Sequence, residues 1–273
     1  MPASSLVVRP RYGRFAFAGW ASALLLCALP VFAAGPTGLL NDTGITFCGD
    51  ATTNTANCAT VGADGGTFPR QDALNGRDAQ AAARTLTKVG GGGAGFDFSK
   101  IDNNGSVTTS TTLGTGATDW ACTRDNVTGL IWEVKTTSGL RSMSHTYSWY
   151  NNNPATNGGS AGTPSLGTCF ATGRCDTEKY VQDVNEAGLC GAGDAWRMPS
   201  VKELEGIADL GRTNPAIDST YFPNTPSSGF WSGSPYSNSS GTAWGVFFDY
   251  GEVDSSNRSA VGAVRLVRGG HGF

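Results

Sequence analysis

Apolar residues in this chain come in short bursts between long stretches of Gly, Ser, Thr and Asn. Such a texture predicts brief strands and extended loops, with few helices. Phe96, Phe98 and Ile101 alternate before Asp102-Asn103-Asn104-Gly105, which predicts a strand and a tight turn. Asp102 and Asn104 could also be read as calcium ligands, but a full loop of spaced acids ending in Glu is missing, which favours the turn. A second turn, Asp125 to Gly129, leads into the buried strand Leu130-Ile131-Trp132-Glu133-Val134. Asp176 to Ala187 predicts a helix with Tyr180, Val181 and Val184 on one face and acids near its N-terminus. Ser200-x-x-Glu203 after Pro199 is a capping box, opening a second helix whose apolar stripe is Leu204, Ile207 and Ala208. Short strands are expected at Phe230-Trp231, at 244–250 and at 264–267, with Gly251 in the turn of the last hairpin. Together these elements predict an α+β domain with two helices, short antiparallel strands and long loops.

The first hundred residues read differently. Arg9, Arg11 and Arg14 precede the apolar run Phe15 to Leu29, and Val31-Phe32-Ala33 fits a small-residue cleavage site, so residues 1–34 are expected to be a signal peptide. As a membrane anchor the run is short, broken by Gly19 and Ser22 and ended by Pro30. No second such run follows, so no membrane span is expected after cleavage. Residues 35–95 lack periodicity and form an expected extension to the domain at 96–273. A short helix is expected at Asp78 to Lys88, and Gly90 to Gly93 is expected to act as a flexible joint.

Removing the three arginines takes the formal charge from −3 to −6. An acidic chain is not built to grip phosphates, so a nucleic-acid partner is not expected. Six cysteines remain once Cys27 leaves, and an even count in an exported chain implies disulfides. Fifteen connectivities exist. Short spacing favours Cys48–Cys58 and Cys169–Cys175, which leaves Cys122–Cys190 to close a long loop, with the second local pair pinning the Asn151–Gly167 loop. No Cys-x-x-Cys or His spacing suggests a metal site, and none is expected. The compartment follows as periplasm, cell surface or medium.

Several blocks from Asp125 onward carry a resemblance. Asp125-Asn126-Val127-Thr128-Gly129-Leu130-Ile131-Trp132, Asp194 to Leu204, Tyr221-Phe222-Pro223, Phe230-Trp231-Ser232, Ala243 to Phe248 and Val264 to Arg268 occur in the order and spacing of the Lcl C-terminal-domain-like family. The chain resembles that family over residues 120–269, and Leu40 to Ile45 resembles an extension found before many bacterial members. The resemblance implies a C-type-lectin-like fold of the sulfatase-modifying-factor kind, and a surface adhesin's role in binding glycans. The chain lacks a Gly-X-Y collagen tract, and its acidity does not favour sulfated glycans. Related folds also serve as variable proteins of diversity-generating retroelements. Mutagenesis of the adenines in Asn codons yields Ser, Gly, Asp, Tyr and Phe but never Lys, Gln, Glu, Met or Trp. Residues 237–241, Gly245, Phe247, Asp249 and 254–257 obey that rule, as does the loop 151–160.

Catalysis finds little support in the residues. His145 and His271 are the two histidines, no Gly-x-Ser-x-Gly elbow precedes a helix, and no cysteine follows Cys190. No catalytic residue and no cofactor is therefore expected. Trp196, Arg197, Arg265 and Arg268 are expected to be structural, the arginines bonding carbonyls or carboxylates. Segment 236–258 is the candidate site. Along strand 244–250, Trp244, Val246, Phe248 and Tyr250 should share the core face, and Gly245, Phe247 and Asp249 the outer one. Phe247 would anchor a protein or glycan ligand, ringed by Tyr236, Asn238, Asp249, Asp254, Asn257 and Arg258.

Overall fold

A computed structural model describes residues 40–62 and 64–269, which fall within one compact unit. The expected signal segment and His271 lie outside the described residues. All sheet pairing is antiparallel. Strands β1 (Phe98–Asp102), β2 (Trp120–Asp125) and β3 (Ile131–Glu133) form a sheet with β9 (Val267–Arg268) in the order β1-β2-β3-β9. Strands β5 (Gly229–Pro235), β6 (Thr242–Phe247) and β7 (Glu252–Asn257) form a second, and β4 (Tyr147–Ser148) pairs with β8 (Val261–Gly262). Four short α-helices accompany them among the described residues: α1 (Cys58–Val61), α2 (Gly76–Ala82), α3 (Thr177–Glu186) and α4 (Val201–Glu205). The mixed architecture agrees with the α+β expectation. No helix among the described residues is long and apolar enough to cross a membrane.

The helix ends follow their caps. Asp176 caps α3 by accepting from the Lys179 amide at 2.9 Å, and Tyr180 and Val184 are buried on one face. The capping box of α4 is complete, with Ser200 and Glu203 exchanging bonds. This helix stops at Glu205, so Ile207 and Ala208 reach the core from the segment that follows it. Helix α2 is shorter than expected, ending at Ala82. The Asp102 turn is a turn: its carboxylate accepts from the amides of Asn104 and Ser106 at 3.0 and 2.9 Å.

The glycine run at 90–93 is not a flexible joint. Gly91 and Phe98 exchange backbone bonds of 2.9 and 2.6 Å, and Gly93 donates to Asp218 at 2.8 Å. A Cβ on Gly90 would fall 2.0 Å from the Phe98 carbonyl oxygen, so glycine is required for close approach. The rest of the 40–95 segment is fastened as firmly. Asn41 donates to the Gly206 carbonyl at 2.9 Å, Leu210 donates to Thr43 at 2.8 Å, and buried Asp78 accepts from Gly44 and Gly95.

The core divides into two clusters. One gathers Ile101, Tyr147, Trp149, Tyr180, Trp196 and Leu266, and the other Phe96, Phe98, Trp132, Phe222, Phe230 and Phe248. A buried polar network sits where they meet. The Glu133 carboxylate accepts from Lys135 Nζ at 2.8 Å, from the Tyr180 hydroxyl, and from the Leu266 amide at 3.0 Å. Arg265, fully buried, donates to the Glu133 carbonyl at 2.8 Å and to Thr225 Oγ1 at 2.6 Å. Burial, reinforced by Arg265 and Arg141, pulls the Lys135 ammonium down from 10.5 to about 8 against the pull of Glu133. Burial likewise pushes the Tyr180 phenol well above its ordinary value.

All three expected cystine pairs are present: Cys48–Cys58, Cys122–Cys190 and Cys169–Cys175. Replacing Cys122 and Cys190 by Ala should cost about 4 kcal/mol in urea denaturation, against about 2 for the Cys169/Cys175 pair, because loop-closure entropy grows with the enclosed length. Between pH 8 and 10.5 the unfolded Lys135 keeps a proton that the folded one has lost, so its contribution to stability rises with pH across that window. Above about pH 10 the Tyr180 phenol works the other way, since the unfolded phenol ionises first. From pH 8 to 10 the native protein should therefore gain about 1–2 kcal/mol relative to the neutral pair Lys135→Met/Glu133→Gln. An identical pH profile for the two proteins would show that Lys135 does not titrate in that range.

Candidate ligand-binding surface

The three-stranded sheet owes its register to a hairpin turn at 248–251, where Gly251 adopts φ +81°. Directly opposed pairs share a face in an antiparallel ladder. Val246 opposes Phe230 and Val253 on the face that packs into the second core cluster. Phe247 opposes Gly229 and Glu252 on the other face, and Gly245 opposes Trp231 and Asp254. Phe247 thus points away from the Val246 face, as the alternation predicts.

The rest of the alternation fails in an informative way. The strand ends at Phe247, so Phe248 is buried from within the turn, while Tyr250, expected in the core, is 61% exposed. Trp244 is half-buried instead of central, and packs edge-on against Tyr236 with ring centroids 4.9 Å apart. It stands opposite Ser255 and belongs to neither core cluster.

Arg258 needs the largest correction, because it is a structural residue and not a surface one. Its side chain is buried, with its guanidinium 4.0 Å from the Trp149 ring centroid. Nε donates to the Thr242 carbonyl at 3.0 Å, and Nη1 to Asn157 at 2.9 Å and to Ser160. It ties the 151–160 loop to the end of β6. The remaining expected residues do not form one patch. Phe247 and Asp249 lie at the turn end of β6, and Tyr236, Asn238 and Asn257 at the other, about 17 Å away at a rise of about 3.4 Å per residue. Asp249 is half-buried in the turn, and one of its carboxylate oxygens is buried without a partner. Asn238, Asp254 and Asn257 are exposed. Asn257 also closes its own turn by accepting from the Ser259 amide at 3.1 Å.

Beside Phe247 lies a pocket of about 160 Å³. Its walls include Phe247, Val261 and Ala260, its floor Gly229 and Gly245, and its rim Ser228 and Ser256. The glycines shape it. A Cβ at Gly229 would meet the Phe247 ring at 2.8 Å, and one at Gly245 would meet the Phe230 carbonyl oxygen at 2.8 Å. The hydroxyls of Ser228 and Ser256 make no hydrogen bond among the described residues, and exposed Glu252 and Asp254 stand beside them on β7. An apolar well with a few free hydroxyls can hold the apolar face of a ligand and fix its orientation. Sequence reasoning missed Ser228, Ser256 and Val261, because only the register and the return of β8 bring them to Phe247.

Other titratable groups sit elsewhere. His145 contacts the Leu140 carbonyl at 3.2 Å, and burial pulls it below its ordinary value. The carboxylates of Asp42, Asp72 and Asp78 lie within 4.8 Å of one another and are, among the described residues, the acidic group that could hold a metal ion. Asp42 and Asp78 already accept backbone amides from Thr43, Asp78, Gly44 and Gly95. Asp78 is raised by burial and by the neighbouring carboxylates.

The described residues form small antiparallel sheets joined by long loops and three disulfides. The Lcl C-terminal domain family model matches residues 121–268, more than half of the chain, and the chain belongs to that family. No curated protein and no solved structure matches it.

Stability measurements separate the roles of these residues. Arg258→Met should lower stability by about 2–4 kcal/mol in urea denaturation, since it leaves buried carbonyls without donors. Asn238→Ala and Asp254→Ala should stay within about 0.5 kcal/mol. Trp244→Ala should cost about 1–2 kcal/mol, less than full burial of its ring would imply.

Proposed function

We propose that the protein is an exported, non-catalytic recognition domain that binds a protein or glycan on a surface through the Phe247 pocket and its β7 rim. The observation that carries this reading is the pocket itself: an aromatic wall over glycines, with free hydroxyls and two acids beside it. The fold would be of the C-type-lectin-like kind, a reading supported by the small antiparallel sheets, the two capped helices of residues 96–273 and the long Cys122–Cys190 closure. Three disulfides favour an oxidising compartment, and so support export. The absence of cysteine after Cys190 argues against the oxidative chemistry of the sulfatase-modifying enzymes. Exposed positions 237–241, 254 and 257 would tolerate adenine-directed diversification without disturbing either core cluster. A reverse-transcriptase gene beside a near-copy of the codons for 230–268, differing only at adenines, would establish that role; its absence would remove it.

The rival reading is an envelope-associated structural protein without a specific ligand. Binding decides between them. Labelled mature protein should bind intact cells saturably, and Phe247→Ala should weaken that binding about 30-fold, as for a hot spot worth about 2 kcal/mol. The same variant should lose only about 1 kcal/mol of stability, because the ring is only partly buried. Non-saturable binding, or full binding by Phe247→Ala, would favour the structural role. Protease and periodate treatment of the cells would tell a protein ligand from a glycan.

A further inference from the structure

A second cavity lies elsewhere, and its chemistry is different. A cleft of about 690 Å³ opens between the 113–117 loop, the 136–141 loop and the 187–189 turn. It shares no lining residue with the Phe247 pocket. Its volume falls within the range of about 300–1,000 Å³ typical of small-molecule sites. The geometry points to a second binding site, for an uncharged polyhydroxyl ligand such as a neutral oligosaccharide.

Charge is the first argument. Arg141 is the one ionisable side chain lining the cleft, and it is buried. Its Nη1 donates to the carbonyls of Ala121 and Val134 at 2.9 and 2.5 Å, and its Nη2 to Gly114 at 2.8 Å. A guanidinium so occupied offers little to an anion, and no carboxylate lines the cleft to hold a cation.

The free polar groups give the second argument. The side chains of Asn104, Thr115, Thr137 and Ser138 are exposed and make no hydrogen bond among the described residues. Hydroxyls and amides both donate and accept, as sugar hydroxyls do. Leu113 and Leu140, both half-buried in the lining, offer apolar surface to the C–H face of a ring. Backbone groups on the walls are already engaged: the Gly114 carbonyl by Arg141, the Thr136 amide by Arg141, and the Gly139 carbonyl by Ser142. A peptide strand, which binds through such backbone groups, finds few of them here.

Rigidity is the third. Arg141 joins two walls, and the Cys122–Cys190 disulfide fixes the turn that carries Leu189 to β2. A preformed site loses little entropy when a ligand enters.

The test uses the mature protein and four neutral probes, cellohexaose, maltohexaose, xylohexaose and chitohexaose, in isothermal titration calorimetry. A heparin hexasaccharide and an uncharged Ser/Gly-rich peptide serve as comparators. At least one neutral probe should bind, with an affinity unchanged between 50 and 500 mM NaCl. Thr115→Trp and Ser138→Trp, both at exposed positions, should each weaken that binding at least tenfold while melting as the native protein does. Phe247→Ala should leave it unchanged, which keeps this site separable from the one proposed above. No binding by any neutral probe, preference for heparin or the peptide, or native affinity in both Trp variants would overturn the proposal.

Discussion

A single carboxylate, that of Glu133, decides how the two halves of this core meet. It has no exposure to solvent, and it takes Lys135, Tyr180 and the Leu266 amide at once. Those partners come from the segment just after β3, from helix α3 and from the segment entering β9. An ion left in a low-dielectric interior without them would cost several kcal/mol, so the fold closes only when all three elements arrive together. Arg265 adds a second cation beside the pair, lying 5.0 Å from the Phe222 ring centroid and 5.7 Å from that of Phe230. Burial pulls both Lys135 and Arg265 down, to about 8 and about 10, with Glu133 opposing the shift in each case.

Because that junction is fixed, the sheet that carries the pocket is fixed too. Strand β5 sends Phe230 into one cluster and Trp231 into the other, and the Trp231 indole donates to the Tyr147 carbonyl at 2.9 Å. Strand β6 repeats the division with Val246 and Ala243. The turn end of the sheet lies beyond the first cluster, so Phe247 finds glycines and small side chains around it and leaves a pocket. The residues most exposed on this sheet are on β7, an edge strand with little apolar content. Its Glu252 and Asp254 also discourage pairing with another edge.

How much of this the sequence revealed depended on whether the signal was local. Capping boxes and Asx turns involve residues two or three apart, so α3, α4 and the turns at Asp102 and Asp125 were readable. Cysteine spacing gave all three pairs, since two of the loops are short. The family resemblance located the domain, and the match over 121–268 agrees with it. Strand β7 was missed because Glu252-Val253-Asp254-Ser255-Ser256-Asn257 shows no alternation of apolar residues, which an edge strand does not need. Trp244 and Arg258 were misplaced for the converse reason. Strand alternation made one a core residue and loop position made the other a surface one, whereas tertiary position leaves Trp244 half-buried and buries Arg258. Long-range register alone brings Gly229, Ser256 and Val261 to Phe247.

The arginines explain why a loop-rich chain can be rigid yet acidic on its surface. Long loops leave backbone carbonyls that no ladder or helix satisfies, and buried carbonyls need donors. A guanidinium carries five donors in a fixed fork, so one arginine can hold several strands of loop. Arg141 holds three carbonyls, Arg258 holds three, and Arg197 holds Glu203 at 2.6 and 2.8 Å together with the Gly269 carbonyl. Arg268 joins the Cys190 carbonyl while lying 5.6 Å from the Trp196 ring centroid. Cations used in this way are withdrawn from the surface, leaving acids on the β7 rim and amides and hydroxyls in the open cleft. The same economy that orders the loops therefore selects against anionic ligands and leaves hydroxyl and aromatic contacts as the available means of recognition.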